Sequence, residues 1–119
     1  MKRLWPSTTP VRVPVVVLTS ESTSSAAEIM AAVLQTRRNA RVIGSLTCGC
    51  VLAIRNRHAL PDGGVLDVSE FDYHTADGVR LEGRGVKPNE VSTLKRQDLY
   101  AGRDRTLEVA KVFFKHVLR

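Results

Sequence analysis

The spacing of apolar residues in the first part of the chain predicts a strand, a helix and a second strand. A near-continuous β-branched run over Val13–Thr19 is typical of a strand that is covered on both faces. A polar turn over residues 20–24 follows, and from Ser24 or Ser25 to about residue 36 apolar residues recur near the helical period. Residues 41–44 predict the next strand. This order predicts one βαβ unit, with two parallel strands joined by a right-handed crossover.

The rest of the chain carries shorter apolar segments that are separated by turns. Strand-forming residues over 51–60 and 65–73 flank Pro61-Asp62-Gly63-Gly64, which predicts a β-hairpin. A short stretch over residues 79–86 is punctuated by glycines. Near the C-terminus, Thr106 can cap a helix that ends at Arg119. The pattern as a whole predicts an α/β fold with one βαβ unit, a hairpin region and a C-terminal helix.

Length and composition are those of one globular domain. The chain has 119 residues, 43% hydrophobic and 25% charged, and we divide it into an irregular lead-in over residues 1–12 and a domain over residues 13–119. The net charge of +6 is compatible with binding to nucleic acid or to an anionic surface. No aromatic residues interleave with the basic clusters, however, and no nucleic-acid motif is present. We therefore favour a solvated basic surface and expect no specific nucleic-acid partner.

Targeting and metal signals are weak. Prolines interrupt the residues after Met1-Lys2-Arg3, so no signal peptide is visible, and no segment predicts a membrane span. The sequence therefore leaves the cellular compartment of the protein undetermined. Cys48 and Cys50 are too close to predict a disulfide framework, and they lack a second Cys/His pair for a metal. We interpret both as small, partly buried hydrophobic residues.

The turn before the first predicted helix carries the candidate chemistry. Ser25-Ala26-Ala27-Glu28 has the spacing of a capping box, in which the glutamate reaches back to the serine backbone. The same placement presents a serine at a helix N-terminus, where backbone N–H groups favour a developing negative charge. The residues alone leave both interpretations open, and Glu28 is interpreted as a cap carboxylate.

Four motifs in chain order resemble the tail-specific or C-terminal-processing serine peptidases, which share a crotonase-like α/β core with the tricorn protease. They are Pro14–Leu18 with Thr23–Ile29, Gly44–Gly49, Leu60–Gly64 and Asp77–Pro88. The resemblance covers roughly residues 13–115 and implies that Ser25, three residues before the glutamate, is the nucleophile. It also implies hydrolysis of a protein or peptide substrate bound as an extended strand, with no metal or organic cofactor.

The chain departs from the family pattern where the general base is expected. Lysine-dependent members carry Thr-x-Gly-Lys, whereas this chain reads Thr47-Cys48-Gly49-Cys50, so Cys50 occupies the base position. A thiolate there would be a competing nucleophile more than a base. Tricorn-like members use an upstream histidine that is assisted by a glutamate in a Glu-x-x-Gly-Val-x-Pro segment. Residues 82–88 match that segment, so the resemblance implies that Glu82 is an auxiliary catalytic residue.

His74 is a further candidate for the missing base. If the hairpin turn pairs Leu60 with Val65, the register places His74 opposite Val51 and so beside Cys50. The alternative is an exposed histidine at the end of a strand.

A second departure concerns the upstream half of the family core. That half carries an Asp-Leu-Arg-x-Asn-x-Gly-Gly segment, and nothing in residues 1–12 resembles it. The chain therefore looks like the C-terminal half of a crotonase-like core, with residues 13–119 as a partial serine peptidase catalytic domain. Two interpretations stay open: a serine peptidase, or a catalytically inactive remnant or peptide-binding half domain. Either could associate with itself or with a missing N-terminal half. Family members are often extracytoplasmic.

Overall fold

The computed structural model of the protein describes residues 13–119, so the predicted lead-in over residues 1–12 lies outside the described residues. Strand β1 (Val16–Thr19), helix α1 (Ala26–Arg38) and strand β2 (Arg41–Gly44) follow one another in the first part of the chain. The two strands pair in parallel over their full length. The predicted βαβ unit is therefore confirmed, although β1 begins three residues later than the apolar run does.

A three-stranded parallel sheet is completed by the short strand β5 (Glu90–Val91), which pairs with β2 and gives the strand order β1-β2-β5. Val42 and Ile43 of β2, the central strand, are fully buried. A second group of buried apolar side chains joins α1 to the loops that follow β2 and the hairpin. It consists of Ala31, Ala32, Val51, Leu81 and Val86, with Val17, Ile29 and Tyr73 packed against it.

The predicted hairpin is formed by strands β3 (Ala53–Ala59) and β4 (Val65–Phe71). Every residue of both strands is exposed, and the hairpin forms a separate two-stranded sheet. Two-stranded hairpins are only marginally stable in water when nothing packs on them. Neither strand of the hairpin therefore contributes a buried residue to the core.

Two helices close the chain, α2 (Arg96–Tyr100) and α3 (Arg105–Val117). α3 packs against β1 and β2. Its N-cap is Asp104, whose carboxylate accepts a hydrogen bond from the Leu107 N–H at 2.9 Å. The predicted cap at Thr106 is therefore wrong, because Asp104 lies at the correct spacing from Leu107 and Thr106 is already inside the helix. Over residues 13–119, no helix has the length and apolar content that a membrane crossing requires.

Candidate active site

Ser25 lies at the N-terminus of α1 in a backbone conformation that residues with a side chain rarely adopt. Its φ and ψ angles are 56° and −129°. Among the described non-glycine residues only Asn39 also has a positive φ, and Asn39 is in the common left-handed position that ends a helix. Strained conformations of this kind cluster at functional sites. The backbone of Ser25 thus points to more than a helix cap.

The hydroxyl of Ser25 is available for chemistry. The side chain is exposed. The backbone N–H of Ala26, the first residue of α1, donates to no acceptor in the part of the chain that the structure describes. An exposed hydroxyl therefore lies one residue from an unpaired backbone donor at the positive end of the helix dipole.

The strained conformation of Ser25 is held by two acceptors. Its backbone N–H donates to the carbonyl oxygen of Cys50 at 2.9 Å and to Glu28 Oε2 at 3.1 Å. The second bond is the glutamate half of the predicted capping box. Glu28 does more than cap the helix, however, because its side chain also binds the loop that contains Cys50.

Glu28 is fully buried and connects α1 to the loop that follows β2. Its Oε1 accepts hydrogen bonds from the Thr47 hydroxyl and from the Gly49 N–H at 2.7 Å, and its Oε2 accepts from the Cys50 N–H at 2.9 Å. The capping-box spacing identified the bond to Ser25 but not these long-range contacts. One carboxylate therefore fixes the nucleophile candidate and the neighbouring loop together.

Burial by itself raises the pKa of Glu28, because it disfavours the charged carboxylate. The hydrogen bonds from the Thr47 hydroxyl and from the backbone N–H groups of Gly49, Cys50 and Ser25 outweigh burial, and the pKa of Glu28 is lowered from its ordinary value of 4.5. The ionised form is therefore the one that the fold favours.

This lowered pKa predicts a specific loss of stability in acid. A carboxyl group whose folded-state pKa lies below its unfolded value stabilises the fold fully above the unfolded value and loses that contribution as the pH falls through the folded-state pKa. The free energy of unfolding should therefore decline below about pH 4.5. Urea titrations of the wild type and of Glu28→Gln measure this contribution as their difference, which should shrink in acid. A difference that stays constant with pH would contradict the assignment.

Loop 47–50 crosses closely against residues 83–86, and glycines permit the crossing. A Cβ at Gly49, where φ is +71°, would lie 2.9 Å from the backbone nitrogen of Arg84. A Cβ at Gly85, where φ is +70°, would lie 2.5 Å from the carbonyl oxygen of Thr47. The Thr47 hydroxyl also accepts a hydrogen bond from the Val86 N–H at 2.7 Å. Loop 47–50 is thus held by Glu28 on one side and by residues 84–86 on the other.

Cys48 and Cys50 are joined by a disulfide, and both residues are exposed. The prediction of two unbridged, partly buried hydrophobic residues is therefore wrong. Gly49 between them has a φ of +71°, and the two Cα atoms are 5.2 Å apart. That separation lies within the range of about 4.4–6.8 Å that disulfides usually span. The glycine turn is what brings two side chains with this short spacing together.

Glu82 binds the backbone directly after Cys50. Its Oε2 accepts hydrogen bonds from the N–H groups of Val51 at 2.7 Å and Leu52 at 3.0 Å. The structure shows no hydrogen bond between Glu82 and Ser25 within residues 13–119. Glu82 therefore holds the backbone that leads out of loop 47–50.

His74 does not lie opposite Val51, so that prediction is wrong. The hairpin pairs Ala59 with Val65, one residue short of the expected register, and Leu60 belongs to the turn. His74 instead forms an antiparallel bridge with Arg80, because a turn over residues 75–78 folds the chain back on itself.

The two other histidines are engaged elsewhere. His58 contacts Glu70 at 2.6 Å, and the ring of His116 contacts the Val112 carbonyl oxygen at 2.8 Å. Over the described residues, no group of three or more His, Cys, Asp or Glu side chains could hold a metal ion. The described part of the chain therefore places no histidine base at the Ser25 hydroxyl.

Comparison with known proteins gives the family. Residues 5–92 match the sequence profile of "Peptidase family S41". The carboxy-terminal-processing protease of Bartonella bacilliformis is 32% identical over 94 residues, which cover 79% of this chain and 21% of that protein. The carboxy-terminal processing protease CtpA of Bacillus subtilis is 37% identical over 75 residues, which cover 63% of this chain and 16% of that protein. The chain thus spans only about a fifth of the curated relatives that it matches.

The fold comparison agrees with the sequence comparison. The crystal structure of the tricorn protease superimposes with a TM-score of 0.77 at 24% sequence identity, over 89% of this chain and 11% of that one. This likeness confirms the predicted α/β peptidase-core fold. Because the profile match covers most of the chain, and because the motifs around Ser25 and residues 82–88 lie within it, the chain belongs to peptidase family S41.

Proposed function

We propose that Ser25 is the nucleophile of a serine-type centre that cleaves peptide bonds in protein substrates. The observation that carries the proposal is the backbone of Ser25, with φ 56° and ψ −129° at the start of α1. A helix cap alone does not require that conformation, since cap residues normally lie in the β region. The exposed hydroxyl supports the same role.

The chemistry follows from the groups around Ser25. Its Oγ attacks the carbonyl carbon of the scissile peptide bond, and the acyl-enzyme that forms is released by water. The unpaired N–H of Ala26 is placed to donate to the developing oxyanion, where it acts together with the positive end of the α1 dipole. The substrate binds as an extended strand beside the sheet.

In this proposal, the general base that activates Ser25 is a group outside residues 13–119. Cys50 occupies the base position of the family motif, but its sulfur is in a disulfide and accepts no proton there. Glu82 acts as a positioning residue, because it holds Val51 and Leu52 and thereby the course of the chain after Cys50. A second copy of the chain, or the N-terminal half of a peptidase core, would supply the base.

A second candidate is an inactive remnant or peptide-binding half domain. The disulfide at the base position favours it, and so do the exposed residues of β3 and β4, which offer a surface for association. Under this alternative Ser25 keeps its geometry without being activated. The two candidates differ in the reactivity of one hydroxyl.

Fluorophosphonate labelling of the purified chain tests the proposal. Mass mapping should place the adduct on Ser25, and Ser25→Ala should abolish it, because the probe reacts only with an activated serine hydroxyl. Ser24→Ala is the matched control, since it removes the neighbouring exposed hydroxyl and should leave labelling intact. Absence of an adduct on Ser25 in the chain alone and after addition of an upstream peptidase half would favour the inactive remnant.

A further inference from the structure

The disulfide between Cys48 and Cys50 lies directly against the turn that carries Ser25. The Cys48 N–H donates to the carbonyl oxygen of Thr23 at 2.9 Å, and the Cys50 carbonyl oxygen accepts from the Ser25 N–H at 2.9 Å. The bridged segment therefore binds the turn two residues before the nucleophile candidate and at the candidate itself. No role for this bridge follows from the peptidase motif, because lysine-dependent members carry a lysine where this chain has Cys50.

The bridge is accessible from solvent. Cys48 and Cys50 are both exposed, whereas Thr47 and Gly49 beside them are buried. A thiolate can therefore reach a sulfur atom without unfolding of the core. Exposed disulfides are generally the ones that are reduced and re-formed, since thiol–disulfide exchange depends on access.

We propose that the Cys48–Cys50 disulfide is a redox site, and that its reduction by a dithiol lowers the reactivity of Ser25. The coupling to reactivity rests on the proposed role of Ser25 as nucleophile. One thiolate of the dithiol attacks a bridge sulfur, forms a mixed disulfide and releases the other cysteine as a thiolate. The second thiol of the reductant then resolves the mixed disulfide. In total two electrons and two protons pass to Cys48 and Cys50, and the dithiol leaves as a disulfide.

Reduction affects Ser25 through the backbone of loop 47–50. The bridge fixes the relative orientation of three consecutive residues, whose backbone groups bind Thr23, Glu28 and Ser25. Without the bridge, hydrogen bonds alone hold the Cys50 carbonyl in place, and Ser25 can relax from its strained conformation. The closed loop is very short, so its loss has a small effect on the entropy of the unfolded chain. The main consequence is therefore local, at the nucleophile.

The experiment compares the oxidised chain with the chain reduced by dithiothreitol. Iodoacetamide followed by intact mass should show no alkylated cysteine before reduction and both cysteines alkylated after it. Fluorophosphonate should label Ser25 about tenfold more slowly in the reduced chain, since small misplacements of a reacting group have effects of at least this size. A Cys48→Ser/Cys50→Ser double variant should label at the slow rate whether or not dithiothreitol is present.

Any other result of this experiment overturns either the redox proposal or the proposed function. Free cysteines before reduction, or equal labelling rates in both redox states, would overturn the redox proposal while leaving Ser25 as the nucleophile. If Ser25 is unlabelled in both redox states, in the chain alone and after addition of an upstream peptidase half, the proposed function fails. Hydrogen exchange of the Ser25 amide then decides whether the bridge controls the turn. Exchange about tenfold faster after reduction supports that control, and unchanged exchange refutes it.

Discussion

Glu28→Ala is expected to lower the free energy of unfolding by about 4 kcal/mol, because two buried donors lose their acceptor at about 2 kcal/mol each. These donors are the Thr47 hydroxyl and the Gly49 N–H, both of which bind Glu28 Oε1 in a buried position. Alanine also leaves a space where a fully buried side chain stood. Urea denaturation followed by circular dichroism measures the change.

Two variants isolate the role of the Glu28 carboxylate. Glu28→Gln keeps one carbonyl acceptor at nearly the same volume and should cost roughly half as much as alanine, since only part of the network loses its acceptor. Glu21→Ala removes an exposed glutamate in the same turn region and should change stability by less than about 0.5 kcal/mol. If Glu28→Ala were as mild as Glu21→Ala, the carboxylate would not be holding loop 47–50.

Local spacing was enough to predict the elements that carry the site. The β-branched run before Ser20 and the periodic apolar residues after Ser25 gave the parallel βαβ unit, since both patterns depend on neighbours close in sequence. The Ser25–Glu28 spacing likewise predicted the hydrogen bond from the Ser25 N–H to the Glu28 carboxylate. The resemblance to the peptidase family placed the nucleophile candidate on that same turn.

The contacts between the two loops lay beyond local spacing. The capping-box spacing predicts which backbone group on its own helix Glu28 binds. It does not predict that Thr47 and Gly49 also donate hydrogen bonds to the same carboxylate. One signal could have found them. β1 and β2 are parallel neighbours, so the turn after β1 and the loop after β2 leave the same edge of the sheet. That reasoning places residues 45–50 beside Ser25.

The two wrong predictions near the site share a physical cause. The pairing of His74 assumed that the hairpin ladder continues past Ala53 and Phe71, whereas a turn over residues 75–78 folds the chain back and pairs His74 with Arg80. The interpretation of Cys48 and Cys50 rested on their close spacing, whereas the positive φ of Gly49 brings the two side chains together. In both cases the conformation of a turn decided the outcome, and sequence patterns fix turns less firmly than they fix helices and strands.

Gly85→Ala is expected to destabilise the chain by about 3 kcal/mol, because it combines a left-handed backbone with a clash. Gly83→Ala is the matched control, since Gly83 has the same φ of +70° but nothing within 4 Å of the added Cβ. It should cost only the conformational part, about 1 kcal/mol. At Gly85 the Cβ meets the carbonyl oxygen of Thr47 at 2.5 Å, and backbone on that side cannot move without disturbing the bond from Thr47 to Glu28. The difference between the two urea midpoints therefore measures how tightly loop 47–50 and residues 83–86 cross, and equal midpoints would show that the crossing is loose.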